Sequence, residues 1–333
     1  MRNTYQASFS ASRSGVSMGL TGLARLSVLA IAVFAAFGCH ARTDAQSPAA
    51  DAATAAKVDA LAKSAQTGMV KIRGGDFRMG DFGEIASDEK LPYRQEADNK
   101  PLHKVHLSDF TLSRYKVTND EYDVYASANG QPTTMAFPWL FDAKKKYRRL
   151  PRAGAFPAEV LWADAAAYCK WLGGKVGRPM DLPTEAQWEY AARAGGKFLV
   201  YATDNGQFDE GRNVPAEDDV EKLSGDAFAP IPVGLYPANA LGLFDMGKNG
   251  REWMRDWYAE DYYAHSPASD PKGPDSGAMR VVRSHENGTH YPAMTMERSS
   301  RLPDGSDPKQ QATEKSLGMS PTLLGYSFRC AGN

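Results

Sequence analysis

Residues 241–257, LGLFDMGKNGREWMRDW, set the oxygen-bearing side chains of Asp245, Asn249, Glu252 and Asp256 around Gly247 and Gly250. Carboxylates, together with backbone carbonyls turned inward at the glycines, are the donors that a hard cation such as calcium takes. Phe244, Trp253 and Trp257 bracket these polar groups, so the loop is expected to lie against a core. The plainer alternative is a polar turn between two strands. A second group follows in residues 284–299, SHENGTHYPAMTMERS, where His285, Glu286 and His290 offer two imidazoles and a carboxylate. That is the ligand set of a non-haem iron site. The more ordinary use of such side chains is hydrogen bonding at a surface, and Met294 and Met296 in the same segment are expected to pack.

The chain that must position these groups has 333 residues and 42% hydrophobic content, enough for one large or two small domains. Its net charge of −1, with both signs interspersed, gives no electrostatic case for nucleic acid. A supply of 30 Gly, 20 Pro, 6 Trp, 15 Tyr and 14 Phe favours short strands, turns and long loops over a helical bundle. Cys39, Cys169 and Cys330 are too few for a disulfide framework, and Cys169, on a helix among bulky neighbours, is expected to be a buried structural thiol.

In residues 1–38, Arg13 and Arg25 precede an apolar run, residues 26–37, which is too short to span a bilayer comfortably and ends at Gly38 before Cys39. This resembles a bacterial lipoprotein signal with lipid on Cys39; the alternative is an ordinary secretory signal cut nearby. Either one sends the mature chain out of the cytoplasm. With a lipid anchor and His40 behind it, the expected location is the periplasmic face of the outer membrane. Residues 39–68 are Ala-rich with few large apolar side chains and read as a tether, in which a short helix over 57–65 would have little to bury.

The folded domain is expected over 69–333. MVKIRGGDFRMG alternates and breaks at Gly74 and Gly75, a hairpin signature, and Val105, Leu107, Phe110, Leu112 and Tyr115 form a candidate buried face. Thr118 with Glu121 makes a capping box, predicting a helix to about Ala128 that Gly130 ends, with Tyr122 and Tyr125 inward. Residues 162–172 form another helix, with Tyr168, Trp171 and Leu172 on its apolar face. Thr184 with Gln187 opens a third, with Trp188, Ala191 and Ala192 inward and Gly195 at its end. The basic run Lys144, Lys145, Lys146, Arg148 and Arg149 is either a solvated loop or a surface for an acidic partner.

Seven ordered blocks, FRMG, VTNDEY, WADAAAYCKWL, LPTEAQWEYAARAG, GLFDMGKNGREW, RVVR and YSFRCA, are similar to the formylglycine-generating enzyme and sulfatase-modifying-factor superfamily over 69–333. The resemblance implies an α+β fold, a C-type-lectin-related single domain with little regular secondary structure. It also implies structural calcium held by Asp245, Lys248, Gly250 and Glu252, with Lys248 and Gly250 giving backbone carbonyls, and a second calcium held by Asn213, Val214, Asp226 and Phe228. The family's oxidase uses two cysteines that bind copper(I) between the RVVR-like strand and the last FRC. Here residues 284–299 contain no cysteine, so copper and formylglycine generation are not expected.

Two functions follow as expectations. One is an envelope lipoprotein whose calcium-fixed loops bind another protein, such as a secreted phospholipase toxin that it neutralises. The other is a periplasmic oxidative enzyme, related to siderophore-maturation branches, with iron on His285, Glu286 and His290. Arg298 and Arg301 fall near the family's pocket arginines and are candidates to hold an anionic group or to pair with acids.

Overall fold

The computed structural model describes residues 48–133, 154–225, 227–316 and 326–333. The signal segment with Cys39, the basic run at 144–149 and Asp226 lie outside the described residues. The domain extends over residues 46–333, so it begins earlier than the sequence suggests. Among the described residues no helix is long and apolar enough to cross a membrane.

The early start is a helix, α1 (Pro48–Gly68), in the stretch read as a tether. It is not idle: Val58 and Leu61 are buried, and Leu61 joins a core cluster with Tyr122, Tyr125 and Tyr168. Two aliphatic side chains three residues apart share one helix face, which is the minimum needed to dock an otherwise Ala-rich helix.

Next come β1 (Met69–Ile72), β2 (Gly75–Met79), the short α2 (Gly83–Ala86), β3 (His103–Leu107) and β4 (Phe110–Ser113). β1 and β2 do not form the hairpin that Gly74 and Gly75 suggested. β1 pairs with β4 and β2 with β3, in one register, Ile72 opposite Phe110 and Gly75 opposite Leu107. The four segments are thus one antiparallel ribbon bent at Gly74, where a Cβ would stand 2.0 Å from the Leu107 carbonyl oxygen. Val105, Leu107, Phe110 and Leu112 are buried as expected, whereas Tyr115 is exposed and stacks on Phe244.

The helix α3 (Asn119–Asn129) starts at the Thr118–Glu121 capping box and ends at Gly130 in the left-handed region. α4 (Trp162–Val176) runs one turn past the expected end, to Gly177. After β5 (Met180–Asp181), α5 (Glu185–Ala192) begins at the Thr184–Gln187 capping box. Every α5 residue is buried, so it is a central helix and not one with a single inner face. There follow α6 (Glu217–Ser224), β6 (Glu252–Trp257), α7 (Tyr262–His265), β7 (Arg280–Arg283), β8 (Ser299–Arg301), α8 (Pro308–Ser316) and β9 (Ala331–Gly332).

β9 lies between β4 and β5 in the order β1-β4-β9-β5, and β6-β7-β8 form a separate antiparallel sheet. A disulfide joins Cys169 on α4 to Cys330 beside β9, with a Cα–Cα distance of 5.4 Å. This corrects the expectation of a structural thiol at Cys169, because Cys330, 161 residues away in sequence, is folded against it.

Candidate functional site

The loop ahead of β6 turns inward through left-handed residues at Asp245 (φ 56°), Asn249 (φ 65°) and Gly250 (φ 103°). Non-glycine residues rarely adopt such angles unless local hydrogen bonds hold them. Asp245 accepts from the Gly234 N–H at 2.8 Å, and the Asn249 side chain spans Ile231, accepting from its N–H at 2.9 Å and donating to its carbonyl at 3.1 Å.

The carbonyls so presented meet the Nζ of Lys116, which is 0% exposed. It donates to Lys248 O at 3.0 Å, to Asn249 O at 3.2 Å and to Gly250 O, and lies 3.7 Å from Glu252 Oε1. Burial pulls the Lys116 ammonium down to about 8, against the opposing pull of the Glu252 carboxylate. Glu252 is also gripped by Arg329, at 2.7 and 2.9 Å. The oxygens that the resemblance assigns to the first calcium therefore already surround an ammonium, and with Lys116 in place the cradle does not fit a divalent ion. At the second position, Asn213 donates to Asp204 Oδ1 at 3.0 Å and to Gln207 O at 3.1 Å, the Val214 carbonyl accepts from the Gly211 N–H at 2.8 Å, and Phe228 is 55% exposed. Asp226 of that set falls outside the described residues.

This loop backs residues 284–296. The Gly250 N–H donates to His285 O at 3.0 Å, the Ala293 N–H to Gly247 O at 2.8 Å, and the Asn287 side chain to Ala229 O at 2.8 Å. Within the segment, the three iron-ligand candidates do not converge. His285 Nε2 is 2.8 Å from Glu297 Oε1, Glu286 Oε1 accepts from Arg251 Nε at 2.6 Å, and the exposed His290 ring packs on Tyr291 at 4.5 Å. Burial works to raise Glu286, yet the hydrogen bond and charge of Arg251 outweigh it and hold the carboxyl below its ordinary value. For Glu297, burial likewise loses to the His285 hydrogen bond and charge. Among the described residues no group of three His, Cys, Asp or Glu side chains could hold a metal.

Arg298 is a packing residue. Buried beneath Tyr263, it forms a two-pronged pair with Glu185 at 2.8 and 2.9 Å. Glu185 also meets Arg283 at 3.3 Å, and Glu189 meets Arg283 at 2.6 Å and Arg193 at 2.9 Å. This arginine–carboxylate lattice explains why α5 is buried all round. Arg301, partly exposed, donates to Tyr326 Oη at 3.0 Å. Sequence reasoning missed Lys116, Arg251, Arg329 and Glu159. Burial first and the Glu286 charge next push the Glu159 carboxyl well above its ordinary value, and its Oε2 has no hydrogen-bond partner. A lysine ahead of a capped helix or a glutamate ahead of a valine carries no local signal of such a place.

What the segment presents outward is aromatic. Tyr291 is 56% exposed, and Phe208 packs against both Tyr291 (5.3 Å) and His290 (6.3 Å). The Phe228 ring lies over Gly288, where a Cβ would stand 1.8 Å from Phe228 Cδ1, so only glycine lets the ring rest there. Phe208, Phe228, His290 and Tyr291 thus border one stretch of surface beside the paired polar groups.

Comparison with known proteins agrees with this scaffold. The chain is 31% identical over 256 residues to a formylglycine-generating enzyme of Streptomyces coelicolor, an overlap covering 65% of this chain and 77% of that protein. It is 32% identical over 232 residues to a serine/threonine-protein kinase pkn1 of Chlamydia pneumoniae, but spans only 32% of that protein. The solved structure of PvdO from Pseudomonas aeruginosa matches at a TM-score of 0.56 and 25% identity, covering 80% of this chain and 94% of that one. The model of the sulfatase-modifying factor enzyme 1-like domain matches residues 54–319, and the chain belongs to that family.

Proposed function

We propose that this chain is an extracytoplasmic, lipid-anchored protein whose domain binds another protein through residues 286–291, and that it does not carry out thiol-dependent oxidation. The observation that carries this reading is the aromatic surface formed by exposed Tyr291, His290 and Phe228 with half-buried Phe208, beside a loop in which His285 and Glu286 are already paired internally. Exposed aromatic side chains on a rigid backing are the anchors that protein interfaces favour. The Cys169–Cys330 bridge supports the location, since such bonds persist in oxidising compartments. It also leaves Cys39, in the signal region, as the sole remaining cysteine. The competing oxidative reading would need His285, Glu286 and His290 to give up their present partners.

The test is a photo-crosslinking amino acid in place of Tyr291 in the full chain, irradiated in cells. A discrete adduct to one protein is expected, and Tyr291→Ala is expected to weaken that purified complex roughly 30-fold, as a central aromatic anchor does. No adduct, together with one iron or copper per purified chain that disappears in a His285→Ala/His290→Ala variant, would overturn the proposal.

A further inference from the structure

Three carbonyl oxygens, of Lys248, Asn249 and Gly250, converge on the Lys116 ammonium, with the Glu252 carboxylate 3.7 Å away. An ammonium has three N–H donors, and three carbonyl acceptors satisfy it. A calcium ion takes six to eight oxygens at about 2.3–2.6 Å, a larger and tighter shell. With three carbonyls and one carboxylate in place, the cradle has the stoichiometry of the former. Its carboxylates are also committed: Glu252 to Arg329 at 2.7 and 2.9 Å, and Asp245 to the Gly234 N–H at 2.8 Å. The main chain next to Lys116 is pinned, because the Val117 N–H donates to Phe328 O at 2.9 Å.

We infer that Lys116 supplies from within the chain the positive charge that a structural calcium supplies from solution, so that residues 245–252 close without a metal. Held covalently, this cation does not exchange with solvent and is not lost to a chelator. The loop backing the aromatic surface then keeps its shape whatever the surrounding calcium concentration.

The experiment measures bound calcium and melting temperature for the full chain and for Lys116→Ala, each in millimolar calcium and in EDTA. Lys116→Ala is expected to melt several degrees lower in EDTA, to recover in calcium, and to hold one calcium per chain more than the wild type. Lys116→Met, which fills the stem's space without charge, is expected to be destabilised in both media. Equal calcium in wild type and Lys116→Ala, or a folded Lys116→Ala that gains no calcium, would overturn the inference. Should Lys116→Ala fail to fold in either medium, an Asp226→Asn variant of the wild type decides, because it removes the carboxylate of the second position. No bound calcium in that variant supports the inference, and one calcium per chain defeats it.

Discussion

Replacing both Cys169 and Cys330 with alanine releases a loop closed across a sequence separation of 161. In the chain-entropy description, tying off a loop of that length lowers the entropy of the unfolded ensemble enough to stabilise the fold by about 5 kcal/mol at room temperature. Both side chains are fully buried, so the variant also loses sulfur packing between α4 and β9, which pushes in the same direction. With a urea dependence of about 3 kcal/mol per molar for a domain of this size, the unfolding midpoint is expected to fall by roughly 1.7 M. The assay is equilibrium urea unfolding of the oxidised wild type, of the wild type in a thiol reductant and of the double variant. The reduced wild type is expected well below the oxidised protein, and the double variant somewhat lower still because it also lacks the buried sulfurs. Coincident midpoints for oxidised and reduced wild type would refute the reasoning, because they would mean that the bridge restrains nothing the unfolded chain was free to do.

Two further outcomes follow from buried charge. Burial, and then the neighbouring Glu185 charge, raises the Asp256 carboxyl to about 8 from 3.8, although the Glu185 N–H, Arg298 and Arg255 pull it back. A raised folded-state value means that the folded protein holds this proton more tightly than the unfolded chain. Its stabilisation is therefore full below pH 4 and is lost as pH climbs towards 8, by about 6 kcal/mol. Asp256→Asn, which keeps the oxygen that accepts from the Glu185 N–H at 3.0 Å, should remove that slope in urea midpoints taken from pH 4 to 9; identical profiles for variant and wild type would contradict it. Glu189→Gln leaves Arg193 and Arg283 short of a buried counter-charge and is expected to cost about 4 kcal/mol by thermal or urea unfolding, a loss under about 1 kcal/mol being incompatible with the lattice described.

The features legible in the sequence are those whose cause is local. The capping boxes at Thr118 and Thr184 needed only residues three apart, and both helices begin there. The α+β fold was legible through its ordered blocks. What escaped depended on distant partners. Glu185 and Glu189 look like a solvated first turn until Arg283 and Arg298, about a hundred residues on, neutralise them. Gly74 and Gly75 suggested a hairpin because glycine pairs mark turns, but here it is the close approach of the Leu107 carbonyl that demands glycine, and at Gly74 alone. The Ala-rich tract concealed α1 because two side chains, Val58 and Leu61, suffice to seat it. At the candidate site, the sequence pointed to 241–257 and 284–301, while the partners that hold those residues lie elsewhere in the chain. The cation of the first is Lys116, which lies 132 residues before the first of its carbonyl partners.

The place of β9 has a bearing on synthesis. The strand at Ala331–Gly332 lies between β4 and β5, and its neighbours Phe328 and Cys330 fill the cluster around Tyr122 and Tyr168. A chain emerging from its N-terminus can pair β1 with β4 and β2 with β3 early, since those contacts span few residues. The sheet nevertheless stays split, with Cys169 unpaired, until residues 326–332 have been made. Each newly made molecule thus passes through an interval with an open sheet edge and a free Cys169 thiol, in which capture by a neighbouring chain competes with arrival of its own last strand.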